Sequence, residues 1–467
     1  MHANTPYLTQ ARHAWRSGAL AAAQDLYRRH LAAQPQDLAA CQELAGVLFA
    51  QQRFHDAERV LDEALTLADM PALRFNRALV RRQLGRGKQV LEDLEAVLAQ
   101  EPSHLPARLH RGSIRFHQGD PTGALADFQQ VAEQAPDQIE GHFNAALSQL
   151  RLGRNDEALA NLERALAIAP EQPAILRAMA NALRMAGRPE ESLPYIRKSL
   201  ALDERSAISN ADHGLCLLAA DQADEAINAF RRSLELDARD QTAIAGLYLA
   251  YNEAGNGPVV NYLFNIAFTQ HLRLELDDPE GLRAAVLAHP ELKWEPSGKT
   301  TRQGEQTAFL DLSPGSPFAP FGDTVKTLIS RRLTELTGAD ADVEHPWLRG
   351  LMDRWHLNMW ATVLHEGGHQ EPHIHPGGWM SGVFYLDDGG ASEEQGGAIL
   401  FGKGPEELQL KVPFNETRHQ PQTGDLLLFP SYFYHRTVPF KGPGTRISLA
   451  FDMVPAVPPE RSTPSGQ

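Results

Sequence analysis

Ala146-Leu-Ser-Gln-Leu-Arg-Leu-Gly153-Arg-Asn-Asp-Glu-Ala158-Leu-Ala-Asn-Leu162 decides how the first half of this chain folds. A small residue opens the stretch, a second small residue follows twelve positions later, and a large apolar residue comes four after that. A glycine lies between the two small ones. The same register recurs on both sides. Ala23, Ala57, Val90, Ala124, Ala158, Ser192 and Ala226 are spaced by 34, 33, 34, 34, 34 and 34 residues. Twelve positions before each stand Ala11, Ala45, Ala78, Gly112, Ala146, Ala180 and Gly214, and four positions after each stand Tyr27, Leu61, Leu94, Phe128, Leu162, Ile196 and Phe230. Gly18, Gly85, Gly119, Gly153 and Gly187 occupy the turn, and Pro35, Pro102, Pro136 and Pro170 close several units. Physically this is a helix–turn–helix repeat. Small residues let paired helices approach, and the bulky residue one turn later fills the gap between units.

The register resembles the tetratricopeptide repeat, in seven copies over about residues 5–238, with a further helix at about 241–254 as a cap. That resemblance implies a concave superhelical surface that binds a peptide or another protein. Dimerising the chain and bracing the second domain are the alternatives.

Composition narrows the class. At 467 residues the chain exceeds one ordinary core, and 42% hydrophobic with 22% charged residues is globular. A net charge of −15 argues against an electrostatic grip on nucleic acid. There is no apolar run of about eighteen residues, so no membrane span is expected. Met1-His2-Ala3-Asn4-Thr5-Pro6 does not read as a secretory signal. Cys41 and Cys216, far apart, give no disulfide framework and suit a reducing cytoplasm.

Gly255-Asn256-Gly257-Pro258 breaks the period. Beyond it a helix start is predicted over Gly281–Leu287, and an amphipathic helix over Asp323–Gly338 with Asp323 as N-cap. From Trp355 the pattern turns to short strands: His356–Leu364, His369–His375 after a Glu366-Gly367-Gly368 turn, Met380–Leu386, Ala398–Phe401, Leu408–Val412, Asp425–Phe429, Thr437–Phe440 and Arg446–Val454. Eight short strands in about a hundred residues suggest a sandwich or jelly roll with bracing helices.

Four side chains in this region carry chemistry. His373 and His375, two apart on a predicted strand, point to one face. The apolar run Gly424-Asp-Leu-Leu-Leu-Phe-Pro430 turns and presents His435, and Arg446 follows eleven residues later. Two or three imidazoles hold a divalent iron with positions left open, and a guanidinium fork grips a carboxylate. A His-x-His triplet alone is weak, since 19 histidines give roughly one by chance. His365, His369 and His419 lie nearby as ordinary surface candidates. Tyr385 and Asn358 are weaker candidates for the pocket lining, while Trp355, Trp360 and Trp379 read as core or wall.

His373-Ile-His-Pro-Gly-Gly-Trp-Met-Ser-Gly-Val-Phe-Tyr-Leu386 resembles the metal-binding signature of a 2-oxoglutarate–Fe(II) oxygenase family. Gly424-Asp-Leu-Leu-Leu-Phe-Pro-Ser-x-x-x-His435 and Arg446-Ile-Ser448 are similar to its later motifs, and Thr301-Arg302-x-Gly304-x-Gln306-Thr307 to its entry segment. The resemblance implies a double-stranded β-helix using Fe(II), O2 and 2-oxoglutarate as co-substrate. It also implies His373, His375 and His435 as metal ligands and Arg446 and Ser448 as the 2-oxoglutarate anchor. Oxidative decarboxylation to succinate would drive hydroxylation of a C–H bond. One departure stands: His375 occupies the place of the superfamily's carboxylate, either as a third neutral ligand or as a group behind the metal. A cupin-type three-histidine metalloenzyme without 2-oxoglutarate is therefore an alternative, although Trp379 and Met380 replace the cupin glutamate. A repeat scaffold with an inactive barrel is another.

The expectation is thus a multidomain protein. Residues 1–256 form an all-α tetratricopeptide-repeat superhelix, 257–456 a jelly-roll domain, and 457–467 a flexible tail. It is expected to hydroxylate a peptide or protein delivered by the repeats. Homo-oligomerisation stays open, and nucleic acid and membrane are not expected partners.

Overall fold

In the computed structural model the repeat packs as its small residues require. The structure describes residues 6–338, 341–442 and 444–456; the tail expected over 457–467 lies outside them. After Pro6–Arg16, helices of alternating 14 and 13 residues follow one another from Leu20–Ala33 to Gln241–Glu253. Tyr27, Leu61, Leu94, Phe128, Leu162, Ile196 and Phe230 are all buried between helices. Full burial of each contributes about 1.5–3 kcal/mol. A Cβ at Gly112 would sit 2.8 Å from the Phe128 ring and one at Gly214 2.5 Å from Phe230, so those small residues are steric requirements. The turns need left-handed backbone. Gly18, Gly85, Gly119, Gly153 and Gly187 take φ of 70–78°, and Gln52 (φ 59°) and Asp221 (φ 62°) take it in the two repeats without glycine.

The chain divides into two compact units, Met1–Leu152 and Gly153–Gln467, a division well before the expected domain boundary at residue 256. Within the second unit the helix Gln241–Glu253 is joined to the sheets. Ile244, Leu247, Tyr248 and Leu249 belong to the same buried cluster as Phe384, Phe433, Phe451 and Met453 of the sheets. Tyr248 Oη donates to Gly402 O (2.8 Å) and Asn252 Nδ2 to Val412 O (3.1 Å), and the Glu253 carboxylate accepts from Lys411 N and Val412 N (both 2.9 Å). Removing those four apolar side chains would withdraw roughly 6–12 kcal/mol of burial, comparable to the stability of a whole domain. A fragment of residues 258–467 is therefore expected to be unfolded or molten, whereas one starting at Gly153 melts cooperatively. Circular dichroism melts of the two fragments check this.

Two antiparallel sheets follow. Their strands are β1 (Gln270–Arg273), β2 (Lys293–Trp294), β3 (Thr301–Gln306), β4 (Trp355–Gln370), β5 (Met380–Asp387), β6 (Ile399–Phe401), β7 (Thr417–His419), β8 (Asp425–Pro430), β9 (His435–Thr437) and β10 (Arg446–Pro455). The larger sheet has the order β1-β8-β5-β10-β4-β3-β2 and the smaller β7-β6-β9. Helix Ala319–Leu336 buries Phe321, Val325 and Ile329, with Phe321 against Phe384 of β5 (4.9 Å between ring centroids).

Several predicted elements differ. Leu408–Val412 forms no strand, because Glu253 takes its amides. Glu366-Gly367-Gly368 does not end a strand: β4 continues through it as a bulge, with Gly367 at φ 80° and the pairing with β3 shifting register there. His369–His375 is not one strand; β4 ends at Gln370 and only a single bridge, His373 to His435, follows. The long helix begins at Ala319, so Asp323 is not its cap. Strands β1, β2, β3 and β7 were not legible, being short and polar. Cys41 and Cys216 are free and buried. Among the described residues no helix is long and apolar enough to cross a membrane.

Candidate metal centre

Alternation along β10 builds one wall of the site. Arg446, Ser448, Ala450 and Asp452 share one face, and across the β4 and β5 ladders they meet Leu364, Thr362 with Tyr385, Trp360 with Val383, and Asn358 with Ser381. Phe429 of β8, opposite Ser381, continues this wall, and the facing one comes from Ile399 of β6 and His435 and Thr437 of β9, with His373 and His375 at one end. Together these residues line one cavity.

The three predicted histidines converge although no strand places them side by side. His373 and His435 exchange two backbone hydrogen bonds of 3.0 Å, and His375 N donates to Ser431 O at 2.9 Å. The turn between His375 and Trp379 passes close to its neighbours: a Cβ at Gly378 would stand 2.7 Å from Ser431 Oγ and 3.2 Å from Asp452. Ring centroids are 4.2 Å apart for His373 and His435, 5.0 Å for His375 and His435, and 5.2 Å for His373 and His375. One ligating nitrogen from each lies within 4.8 Å of the others.

Hydrogen bonds set the tautomers. His373 Nδ1 faces Glu371 O (2.7 Å) and His435 Nδ1 faces Phe433 O (2.9 Å); a carbonyl only accepts, so both protons sit on Nδ1. His375 Nδ1 faces Asp452 Oδ1 at 2.6 Å, and Ser381 Oγ donates to the same oxygen at 2.7 Å. Each Nε2 lone pair is thereby left for a metal. Burial, then the neighbouring His375, pushes His373 down to about 3, and burial with both neighbouring rings holds His435 well below its ordinary value. Neutral imidazoles are the ligating form. The donor set therefore fits a divalent transition metal such as Fe(II). The carboxylate missing from position 375 stands one hydrogen bond behind it, as Asp452.

At the far end of the same wall is Arg446, 2% exposed. Among the described residues its Nε and Nη1 have no hydrogen-bond partner, and neither do Thr362 Oγ1 and Trp360 Nε1. The guanidinium lies over the Tyr385 ring at 4.9 Å. Burial draws it below its ordinary value while Tyr385 opposes the shift. A buried cation without a counter-charge is costly, and these orphaned donors, set on one wall, fit an acidic ligand.

Of the residues singled out in the sequence, His373, His375, His435, Arg446, Ser448 and Tyr385 all line this cavity. Asn358 does not; it lies on the same sheet face beside Asp452. Trp360 lines the wall, 5.4 Å from the His375 ring. Trp379 is stacked on Trp347 at 4.3 Å, each indole donating to the other's carbonyl. Sequence reading missed Asp452, Ser381 and Thr362. The signal was present in the alternation of β10, where Asp452 is three steps of two from Arg446. Asp452→Asn keeps the shape and removes the charge. It is expected to weaken divalent-metal affinity about 10–100-fold at unchanged stoichiometry, as read by calorimetric titration.

The family described as “Putative 2OG-Fe(II) oxygenase” matches residues 358–452, and tetratricopeptide repeat families match residues 75–139 and 139–205. No curated protein matches the chain. Among solved structures, a tetratricopeptide repeat protein from Parabacteroides merdae is 18% identical, with a TM-score of 0.39, covering 52% of this chain and 97% of its own. MamA AMB-1 is 24% identical, with a TM-score of 0.33, covering 36% of this chain and 92% of its own. Residues 75–205 carry tetratricopeptide repeats, and residues 358–452 form a domain of the “Putative 2OG-Fe(II) oxygenase” family.

Proposed function

We propose that this protein is an Fe(II)- and 2-oxoglutarate-dependent dioxygenase, its two sheets forming a double-stranded β-helix over residues 257–456, and that it hydroxylates a peptide or protein recruited by the repeats of residues 1–256. One observation carries the reading. One ligating nitrogen from each of three imidazoles converges in the same cavity as a buried guanidinium with two partnerless nitrogens. The family match over residues 358–452 supports it.

The chain's residues divide the work. His373, His375 and His435 would hold iron, which supplies the redox chemistry with dioxygen. Arg446 grips the distal carboxylate of 2-oxoglutarate, and Ser448 and Thr362, directly opposed on β10 and β4, add hydroxyl donors. The Tyr385 ring holds the guanidinium in place. Val383, Ile399 and Phe429 exclude water. Asp452 keeps the His375 proton on Nδ1 and offsets part of the metal's charge.

The three-histidine donor set, with its carboxylate one bond removed, also favours a second reading: a cupin-type metalloenzyme that uses no 2-oxoglutarate. Anaerobic titration of the whole protein with Fe(II) and then 2-oxoglutarate separates the two. Binding of both, followed by succinate formation in air, is the expected result. Iron without 2-oxoglutarate moves the assignment to the cupin reading, and neither ligand leaves a repeat scaffold with an inactive barrel. Recruitment by the repeats is tested by deleting residues 1–152. Uncoupled 2-oxoglutarate turnover should survive and hydroxylation of the true substrate should fall sharply. Equal turnover of that substrate would assign the repeats to assembly.

A further inference from the structure

A second group of metal-ligating side chains lies among residues that do not line the cavity. His271 is on β1, His419 on β7 and Asp425 at the start of β8. His271 Nε2 is 3.1 Å from Asp425 Oδ1, and His419 Nε2 is 3.4 Å from Asp425 Oδ2. The rings meet edge to face with centroids 4.7 Å apart, and one ligating atom from each of the three residues lies within 4.8 Å of the others. A tetrahedral zinc site with ligands at about 2.0–2.2 Å has edges of roughly 3.3–3.6 Å. The two His–Asp separations are already close to such edges.

The carboxylate is anchored for this task. Asp425 is 2% exposed, Gln422 N donates to Oδ2 at 2.9 Å, and Arg273 Nη1 approaches Oδ1 at 3.2 Å. His419 Nε2 is shielded from solvent and faces Asp425 Oδ2 beyond good hydrogen-bond distance, so a metal would take the place of that His–Asp contact. Among the described residues Arg273 is the arginine that competes for Asp425. Its side chain is 59% exposed and also donates to Gln422 Oε1 at 2.9 Å, so it keeps a partner when another cation takes the carboxylate.

The geometry points to a second divalent transition-metal site, formed by His271, His419 and Asp425 and suited to zinc, that clips two sheet edges together. β1 is the edge strand of the seven-stranded sheet and β7 an edge strand of the three-stranded one. β1 pairs with β8 over four residues. Two imidazoles and one carboxylate suit zinc, with a fourth position left to water. This site stands whether or not the cavity binds iron.

The test uses the full chain carrying His373→Ala and His435→Ala, so that the cavity cannot bind metal stoichiometrically. Calorimetric titration with zinc chloride at pH 7.5 should still give one zinc per chain, and zinc should raise the melting temperature. Adding His419→Ala should weaken that binding at least tenfold and cancel the thermal shift. His271→Ala should do the same, and its half-exposed ring makes loss of the fold no explanation. Absence of stoichiometric zinc in the double variant would overturn the proposal. So would zinc binding that neither added substitution changes.

Discussion

His435→Ala is expected to abolish stoichiometric Fe(II) binding while the secondary structure persists. His435 is 4% exposed, and its ring is fixed between Phe429 and the His373 and His375 rings. Its Nδ1 proton is committed to Phe433 O, so Nε2 has no role within the fold other than ligation. Two imidazoles remain in the variant, and the loss should exceed the roughly 10–100-fold expected when a group behind a ligand is removed. Iron per chain by elemental analysis after gel filtration reads the stoichiometry, and circular dichroism reads the fold. Undiminished iron in a folded variant would remove His435 from the metal shell. His375→Ala offers a graded comparison: a ligand's loss is expected, and unchanged affinity would place His375 behind the metal with Asp452.

Arg446→Leu is expected to separate the cost of the site from its use. A charge-assisted hydrogen-bonded contact contributes about 1.5–3 kcal/mol, so 2-oxoglutarate affinity should fall roughly tenfold to a hundredfold, with iron binding spared. The ligand-free variant should melt at or above the temperature of the parent. The reason is that a buried guanidinium with two unpartnered nitrogens is a burden until a counter-charge arrives. A structural arginine would give the opposite pattern, a lower melting temperature with unchanged ligand affinity. Calorimetric titration with 2-oxoglutarate and thermal melts of both proteins decide between them.

The parts of the site that were legible in sequence are those carried by local period. Arg446 and Ser448 are two apart on a strand, and the Asp425–Pro430 run delivers His435 through one short turn. The parts that were not legible depend on partners far along the chain. Asp452 lies 77 residues from His375, yet its carboxylate sets that ring's tautomer. Thr362 is an ordinary strand threonine until β10 pairs beside it and places it opposite Ser448. The convergence of His373 and His375 was expected from a strand that does not exist; the two backbone hydrogen bonds with His435 supply it instead.

The repeat itself was determined by sequence alone. Small residues at a period of 34 and bulky residues one turn later admit one packing, because a Cβ at Gly112 or Gly214 would collide with an aromatic ring. Such contacts are local, and local steric rules can be read residue by residue. Where the compact units divide was decided by tertiary structure. Leu408–Val412 reads as a strand, but Glu253, about 160 residues earlier, takes its amides and ties the last repeat to the sheets. Likewise, no pattern along the chain marks Arg446 as carrying two nitrogens without hydrogen-bond partners. That follows only from which groups the folded chain leaves out of its reach, since burial and the absence of a counter-charge are properties of the assembled core.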